Sequence, residues 1–386
     1  MSAVLEKFDY FLSSTGPAAV VIREPLIPVE GADGVLFPAT FAGEGSSPGG
    51  YNIDPGPDGG NIALVDSVGS QANRIEPLFA EPEYASLVPQ VTIEAGNRKV
   101  SLLEAGHRAG DAIVRCSALQ DDLNRAFGKL LDGDATELAK IAPTSLVFGV
   151  WDSRDTQAKM PRLISSTIRA YGVCELKRSA QYIPAVDYVR EKLLVEPDKT
   201  TKDDYAKRGF IHVPATGSHG GIIAKGGVRR DATLAIAALK LIHAGSDIEA
   251  TKKLRRYILG LALVAFTKLP GGYLRQGTIL VSDPEKPRSA DEVYANGERK
   301  PFTIGHEEAL VYAREAAKDF GVINNIKATA DEGGKVAGIK KHVKEEKGKE
   351  PIAIIEVVFD VEKAKKDLEG KEKKAKATKE KAKKES

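Results

Sequence analysis

The longest apolar run in the chain, Tyr257–Phe266 (YILGLALVAF), narrows the folds open to it. A membrane span takes about 18 or more consecutive apolar residues, and this run is shorter. It is apolar on every side of a helical wheel, so it does not suit a surface helix with one wet face. It predicts a helix over Leu254–Phe266 that is buried all round, and the remaining chain has to supply its walls. With 386 residues, 42% of them hydrophobic and 28% charged, there is enough chain to do so. The length fits two or three domain equivalents, or one domain with large insertions.

Other apolar segments punctuate the chain. Ala18–Ile22, Ile62–Val65, Ser145–Trp151, Gly277–Val281 and Ile352–Val361 read as strands. Ser70–Arg74, Leu102–Ala118, Pro161–Tyr171 and Asp231–His243 read as helices, and His212–Lys225 as a hairpin leaving the core near 210–228. Gly43–Gly60 is a Gly/Pro/Ser-rich loop. The elements mix without a regular βαβ alternation, so the expected class is α+β. No internal repeat is found. Residues 1–361 are expected to form the folded body. The Lys/Glu/Ala tail, 362–386, is expected to be a frayed helix or disordered.

Several function classes fall away at this point. Two cysteines, Cys116 and Cys174, exclude a disulfide scaffold and a Cys-rich zinc module. The N-terminus lacks a basic segment followed by an apolar run, and the expected location is the cytoplasm. There is no P-loop, no Rossmann glycine fingerprint and no H-E-x-x-H, and no two of the six histidines stand at metal-ligand spacing, so no metal or cofactor is expected. Gly45–Gly49 (GSSPG) matches G-x-S-x-G, but Ser47 lies in a loop and is followed by Pro48, which does not fit a strand–turn–helix elbow. His107, Asp111 and Arg115 would share a face of the predicted Leu102–Ala118 helix, more as an ion pair than as an acid and base.

Charge carries more information. The net charge is only +2, yet residues 1–100 hold 5 basic and 13 acidic side chains, while residues 151–275 hold 22 and 12. The basic middle block suits a polyanion, although scattered solvated charges would give the same count. On the predicted Pro161–Tyr171 helix, Arg162, Ser165, Ser166 and Arg169 fall on one face, a set that suits phosphate oxygens. Gly226–Asp231 (GGVRRD) reads as a glycine turn opening a helix, with Arg229 and Arg230 beside it. Arg255–Arg256 and the Tyr273–Gly277 stretch (YLRQG) add donors, and Tyr273 could stack on a base.

Several stretches, in order, resemble one family. They are Asp66–Glu76 (DSVGSQANRIE), His107–Ala112 (HRAGDA), Phe148–Arg154 (FGVWDSR) with Lys159, Pro161, Arg162 and Ser165, Arg178–Tyr182 (RSAQY), and Leu254–Gly277. The family is the CRISPR-associated RAMP backbone subunit of type I-U (I-G) systems, similar in role to the Cas-seven backbone of other Cascade complexes. The resemblance spans most of residues 15–285. Where Gly69 stands, the family often has a bulkier residue.

The resemblance implies an RRM-like (ferredoxin-like) palm with large insertions forming a thumb and a web. It implies a non-catalytic subunit that stacks with copies of itself along a CRISPR RNA, beside other Cascade subunits, while the guide pairs with target DNA. A subunit that accepts any spacer should hold phosphates and 2′-hydroxyls rather than base edges. The expected RNA contacts are Gln71, Asn73, Arg74, Arg154, Lys159, Arg162, Arg169, Arg229, Arg230 and Arg275. Two alternatives stay open: an RNA-cleaving RAMP enzyme using His107 or His219 as general base, and a protein-interaction scaffold without nucleic acid.

Overall fold

The computed structural model describes residues 3–43, 49–57, 59–269, 271–333 and 338–369. Nine strands form one antiparallel sheet: β1 (Ala19–Pro28), β2 (Ile53–Pro55), β3 (Asn61–Asp66), β4 (Ile164–Tyr171), β5 (Val228–Leu234), β6 (Tyr273–Arg275), β7 (Thr278–Ser282), β8 (Ser289–Val293) and β9 (Arg299–Pro301). Their order is β6-β7-β1-β5-β4-β3-β2. β8 takes the length of the β1 edge that β7 leaves free, and β9 pairs with β8. The sheet curls strongly. Arg275, near one end of that order, donates to the Val65 carbonyl at 2.8 Å and to Asp66 at 2.7 Å, near the other end. Leu26, Val65, Ile168, Leu274 and Leu280 meet inside the curl.

Three helices set the geometry around the sheet: α1 (Val68–Ile75), α2 (Ile248–Thr267) and α3 (His306–Phe320). α2 contains the apolar run and is buried continuously from Tyr257 to Thr267, as its composition requires. It is longer than the apolar pattern indicated because the Asp247 carboxylate caps it, accepting from the Ala250 N–H at 2.9 Å. α3 lies close against it: a Cβ on Gly260 would sit 2.8 Å from the Ala313 Cα, so only glycine permits this approach. A second, four-stranded sheet sets Ile352–Val358 between Ile339–Lys344 and Gln90–Ala95, parallel to the latter, with Arg98–Ser101 at the far edge. The class is α+β.

The strands expected near residues 18, 62, 277 and 352 are present, as are the helices at Ser70–Arg74 and Leu254–Phe266. Four expectations are corrected. Pro161–Tyr171 is not a helix but β4: Ile164, Thr167 and Ile168 are β-branched, and the segment pairs on both edges, with β5 and β3. Asp231–His243 begins as β5, where pairing with β1 and β4 overrides the helix propensity of its alanines; only Ile236–Leu239 is helical. The glycine turn at 226–227 therefore opens a strand, and no helix N-terminus stands behind Arg229 and Arg230. Ser145–Trp151 is mostly a buried short helix, Thr144–Phe148, a case in which a brief apolar run does not reveal its period. Leu102–Ala118 is broken into short turns, so His107, Asp111 and Arg115 share no helix face.

Val173–Tyr182 and Val213–Ala224 pair as a long two-stranded ribbon continuous with β4 and β5. Ser47 lies outside the described residues, as does the tail beyond residue 369. Residues 361–369 are helical and dock on the body, where Asp367 accepts from Arg115 at 3.0 Å. Among the described residues no helix is long and apolar enough to cross a membrane, and no group of three or more His, Cys, Asp or Glu could hold a metal ion.

Candidate nucleic-acid interface

β3 ends on Asp66 and runs through Ser67 into α1. The Ser67 hydroxyl caps the helix by accepting from the Ser70 N–H at 3.2 Å. Asp66 is 1% exposed and accepts four side-chain bonds: from Ser70 at 2.8 Å, Gln71 at 2.7 Å, Arg74 at 3.1 Å and Arg275 at 2.7 Å. Two guanidinium groups are thereby fixed by one buried carboxylate, an arrangement of short charge-assisted bonds. Arg74 uses only its Nε; its terminal amines make no hydrogen bond to the described residues and stand half-exposed. Gln71 is buried, and its carbonyl accepts from Ser166 at 2.9 Å, so it braces α1 against β4.

α1 borders two basins: its own residues line the smaller, and Asn73 and Gly69 adjoin Arg108 and Arg162 of the larger. The larger, about 920 Å³, is lined by Arg108, Arg115, Trp151, Arg154, Lys159 and Arg162, with Ala364, Asp367 and Leu368 of the 361–369 helix as one wall. Arg108 is buried in a left-handed backbone conformation, φ 55°, which is strained for a residue with a side chain. Its guanidinium lies 2.6 Å from Glu76 and donates to the Gly149 carbonyl at 3.3 Å and to Asn73 at 3.4 Å. Burial pushes the Glu76 carboxyl up to about 7, against the opposing pull of Arg108. Gly149 has φ 82°, and a Cβ there would sit 2.8 Å from Arg162 Cγ, so glycine lets Arg162 cross toward α1. The Val150–Trp151 and Lys159–Met160 strands form a small hairpin. Its turn is tied by Asp152, which accepts from Thr156 N–H at 2.7 Å and Thr156 Oγ1 at 2.6 Å. Burial opposes ionisation of Asp152, but these bonds and those from Arg154 and Asp155 hold its carboxyl below the ordinary value. Lys159 stands over the Trp151 ring at 5.8 Å. The charged ends of Arg154, Lys159 and Arg162 have no ion-pair partner among the described residues.

The smaller basin, about 380 Å³, is lined by Gln71, Asn73, Arg74, Arg230, Lys268 and Tyr273. Arg230 is 3% exposed and bonded to Glu24 at 2.6 Å on the adjacent β1.

Eight of the ten expected contacts thus line the two basins or bind Asp66: Gln71, Asn73, Arg74, Arg154, Lys159, Arg162, Arg230 and Arg275. Arg169 and Arg229 do not. In a strand, neighbours point to opposite faces, so Arg229 and Arg230 diverge, as do Ser165 and Ser166. Arg169 and Arg229 face each other across β4 and β5 on the side away from α1. There Arg169 donates to Thr167 at 2.7 Å. Arg229 is tied to Asp231 at 2.9 Å and lies over the Tyr171 ring at 5.0 Å. Arg256 is also committed, donating twice to Asp9 at 2.8 and 2.6 Å. Arg108, Trp151 and Lys268 join the site without having been expected there. All three lie inside stretches already noted, Lys268 within Leu254–Gly277, but nothing at position 268 sets that lysine apart.

A protein-family model described as CRISPR-associated protein GSU0053 matches residues 20–175. That stretch holds α1, Arg154, Lys159, Arg162 and the larger basin's body, and stops short of Arg229, Arg230 and Arg275. No curated protein matches the chain. Over residues 20–175 the chain is therefore similar to the CRISPR-associated protein GSU0053 family, a match consistent with a Cas-seven-type CRISPR-associated protein.

Proposed function

We propose that this protein is a non-catalytic CRISPR RNA-binding backbone subunit, several copies of which line a guide RNA in a type I-G surveillance complex that recognises target DNA. The observation that carries this reading is the set of cations lining the two basins: Arg154, Lys159 and Arg162 unpaired in the larger, and Arg74 with free terminal amines in the smaller. Unpaired cations in a groove attract a phosphate backbone without reading its sequence, which is what a subunit serving any spacer needs. In this reading the curled sheet is the palm and the Val173–Tyr182/Val213–Ala224 ribbon is the thumb. The residues between those strands expose Ile183, Leu193 and Val195, the last at 81%, as a contact for the next copy or another Cascade subunit. The acidic first hundred residues and the basic middle suit head-to-tail stacking, which builds a filament when the rotation does not close.

The test is expression beside a CRISPR array, purification, and sequencing of the RNA that co-elutes. Uniform spacer-containing RNA in a large assembly is expected. A nucleic-acid-free, salt-insensitive assembly, even with the neighbouring subunits added, would favour the scaffold reading instead.

One observation favours a second reading, RNA cleavage. His219 lies with its ring 4.9 Å from Tyr51 and its Nδ1 3.9 Å from Glu175, and the Tyr51 hydroxyl accepts from the Gly221 N–H at 3.1 Å. Cleavage of repeat RNA by the purified protein, abolished in His219→Ala, would establish that reading over the non-catalytic one.

A further inference from the structure

Lys268 follows directly on the last residue of α2 and lines the smaller basin. Its ammonium donates to the Tyr84 hydroxyl at 2.9 Å. That hydroxyl lies 2.8 Å from His306 Nε2, and His306 Nδ1 lies 3.0 Å from Thr267 Oγ1. Thr267 Oγ1 is 2.8 Å from the Leu263 carbonyl, which can only accept. This fixes the direction of every bond. The Thr267 proton goes to Leu263, so Thr267 accepts from His306 Nδ1–H, Nε2 is left to accept from Tyr84 O–H, and the Tyr84 oxygen accepts from Lys268. A one-way chain rooted in the core thus holds the Lys268 ammonium in place at the basin wall.

Arg230 stands across the same basin. One of its terminal nitrogens is buried and has no hydrogen-bond partner among the described residues, although its Nε is bonded to Glu24. A buried donor of this kind calls for an acceptor. Arg74 brings its terminal amines to the same wall, and Glu81 is one carboxylate among three cations. Beside them Tyr273 offers an aromatic face that is 62% exposed. Anion donors and an open ring in about 380 Å³ match a ligand with a phosphate at one end and a flat base at the other.

We infer that this basin seats one nucleotide of single-stranded RNA, its phosphate between Arg230, Arg74 and Lys268 and its base stacked on Tyr273. The inference rests on the RNA-binding reading and adds to it a fixed position for one residue of the guide. Lys268 and Tyr273 are its specific members. The role of Arg162 and the larger basin is to hold the backbone beyond this seat.

The full chain is tested with a fluorescent oligouridylate by anisotropy and with the same oligomer carrying 4-thiouridine for photo-crosslinking. Tyr273→Ala and Lys268→Met are each expected to weaken binding on the order of tenfold, Tyr273→Phe to regain most of the loss suffered by Tyr273→Ala, and the crosslink to map to Tyr273 or its neighbours. Wild-type affinity in both Tyr273→Ala and Lys268→Met, with crosslinks mapping elsewhere, overturns the nucleotide seat while leaving RNA binding intact. A wild-type chain that retains no RNA overturns the underlying reading and the seat together.

Discussion

Arg229 and Arg230 are neighbours in sequence and lie on opposite faces of the same strand. Arg230 is buried beside α1 and paired with Glu24, while Arg229 lies half-exposed on the other face, forked onto Asp231 and stacked on Tyr171. On the α1 side, carboxylates are buried and cations keep donors in reserve; on the far side, cations are spent on neighbours at the surface. The difference shows that a basic count does not make an interface. What matters is which guanidinium groups are positioned by groups behind them, leaving their front free.

The largest effect should come from removing the carboxylate behind Arg230. Glu24→Ala strands a buried guanidinium and is expected to cost about 3–5 kcal/mol. Asp231→Ala, on the other face, should cost roughly 1 kcal/mol or less. Urea midpoints measure both, and equal losses would erase the distinction between the faces.

RNA affinity gives the next contrast. Arg162→Ala should weaken binding to all sequences and lower the salt slope by about one contact. Arg169→Ala and Arg229→Ala should change affinity and slope less, because both lie on the face away from α1 and the Arg229 charge is already paired with Asp231. A reversal of that ranking in salt titrations would move the interface to the opposite face of the sheet.

Acid should act on the α1 side through His306. Burial, then Lys268, lowers its proton affinity, with Glu307 and Glu83 pulling weakly the other way. The folded state therefore binds fewer protons than the unfolded one. Stability is full above the ordinary histidine value, about 6.5, and declines as pH falls from there toward the lowered one. Glu76, held up to about 7, is more protonated in the folded state over the same range and acts in the opposite direction, so the decline is read as the difference between wild-type and His306→Gln thermal melts from pH 7 to 5. The smallest effect expected is that of Trp151→Ala: loss of the Lys159 contact, worth about 0.5–1 kcal/mol, should be visible in binding and nearly silent in stability.

Much of this is legible in the chain. The apolar run marks α2, and the Asp66–Glu76 stretch marks both α1 and the residues that brace it. The strands β4 and β5 read as helices because short amphipathic segments such as ISSTIRAY and DATLAIAA satisfy a helical wheel about as well as an alternating one; pairing partners far away in sequence decide between them. A helical wheel places Arg169 with Arg162, but Arg162 precedes β4 and Arg169 lies within it; a glycine turn sets Arg229 beside Arg230, and strand parity separates those two. Lys268 is invisible in the sequence because its significance depends on Tyr84 and His306, brought together only by packing.

The parallel seating of Ile352–Val358 beside Gln90–Ala95 has a consequence for synthesis. A ribosome that has already released the first hundred residues must still add some 250 more before the strand that fills the middle of their sheet emerges. Until then, Gln90–Ala95 presents an unpaired edge to the cell. Loop closure over such a separation is slow, so the protein should acquire this half of its structure only as its last strand leaves the exit tunnel. Chains truncated before Ile352 should be cleaved rapidly near residue 90 by proteases that spare the full-length protein.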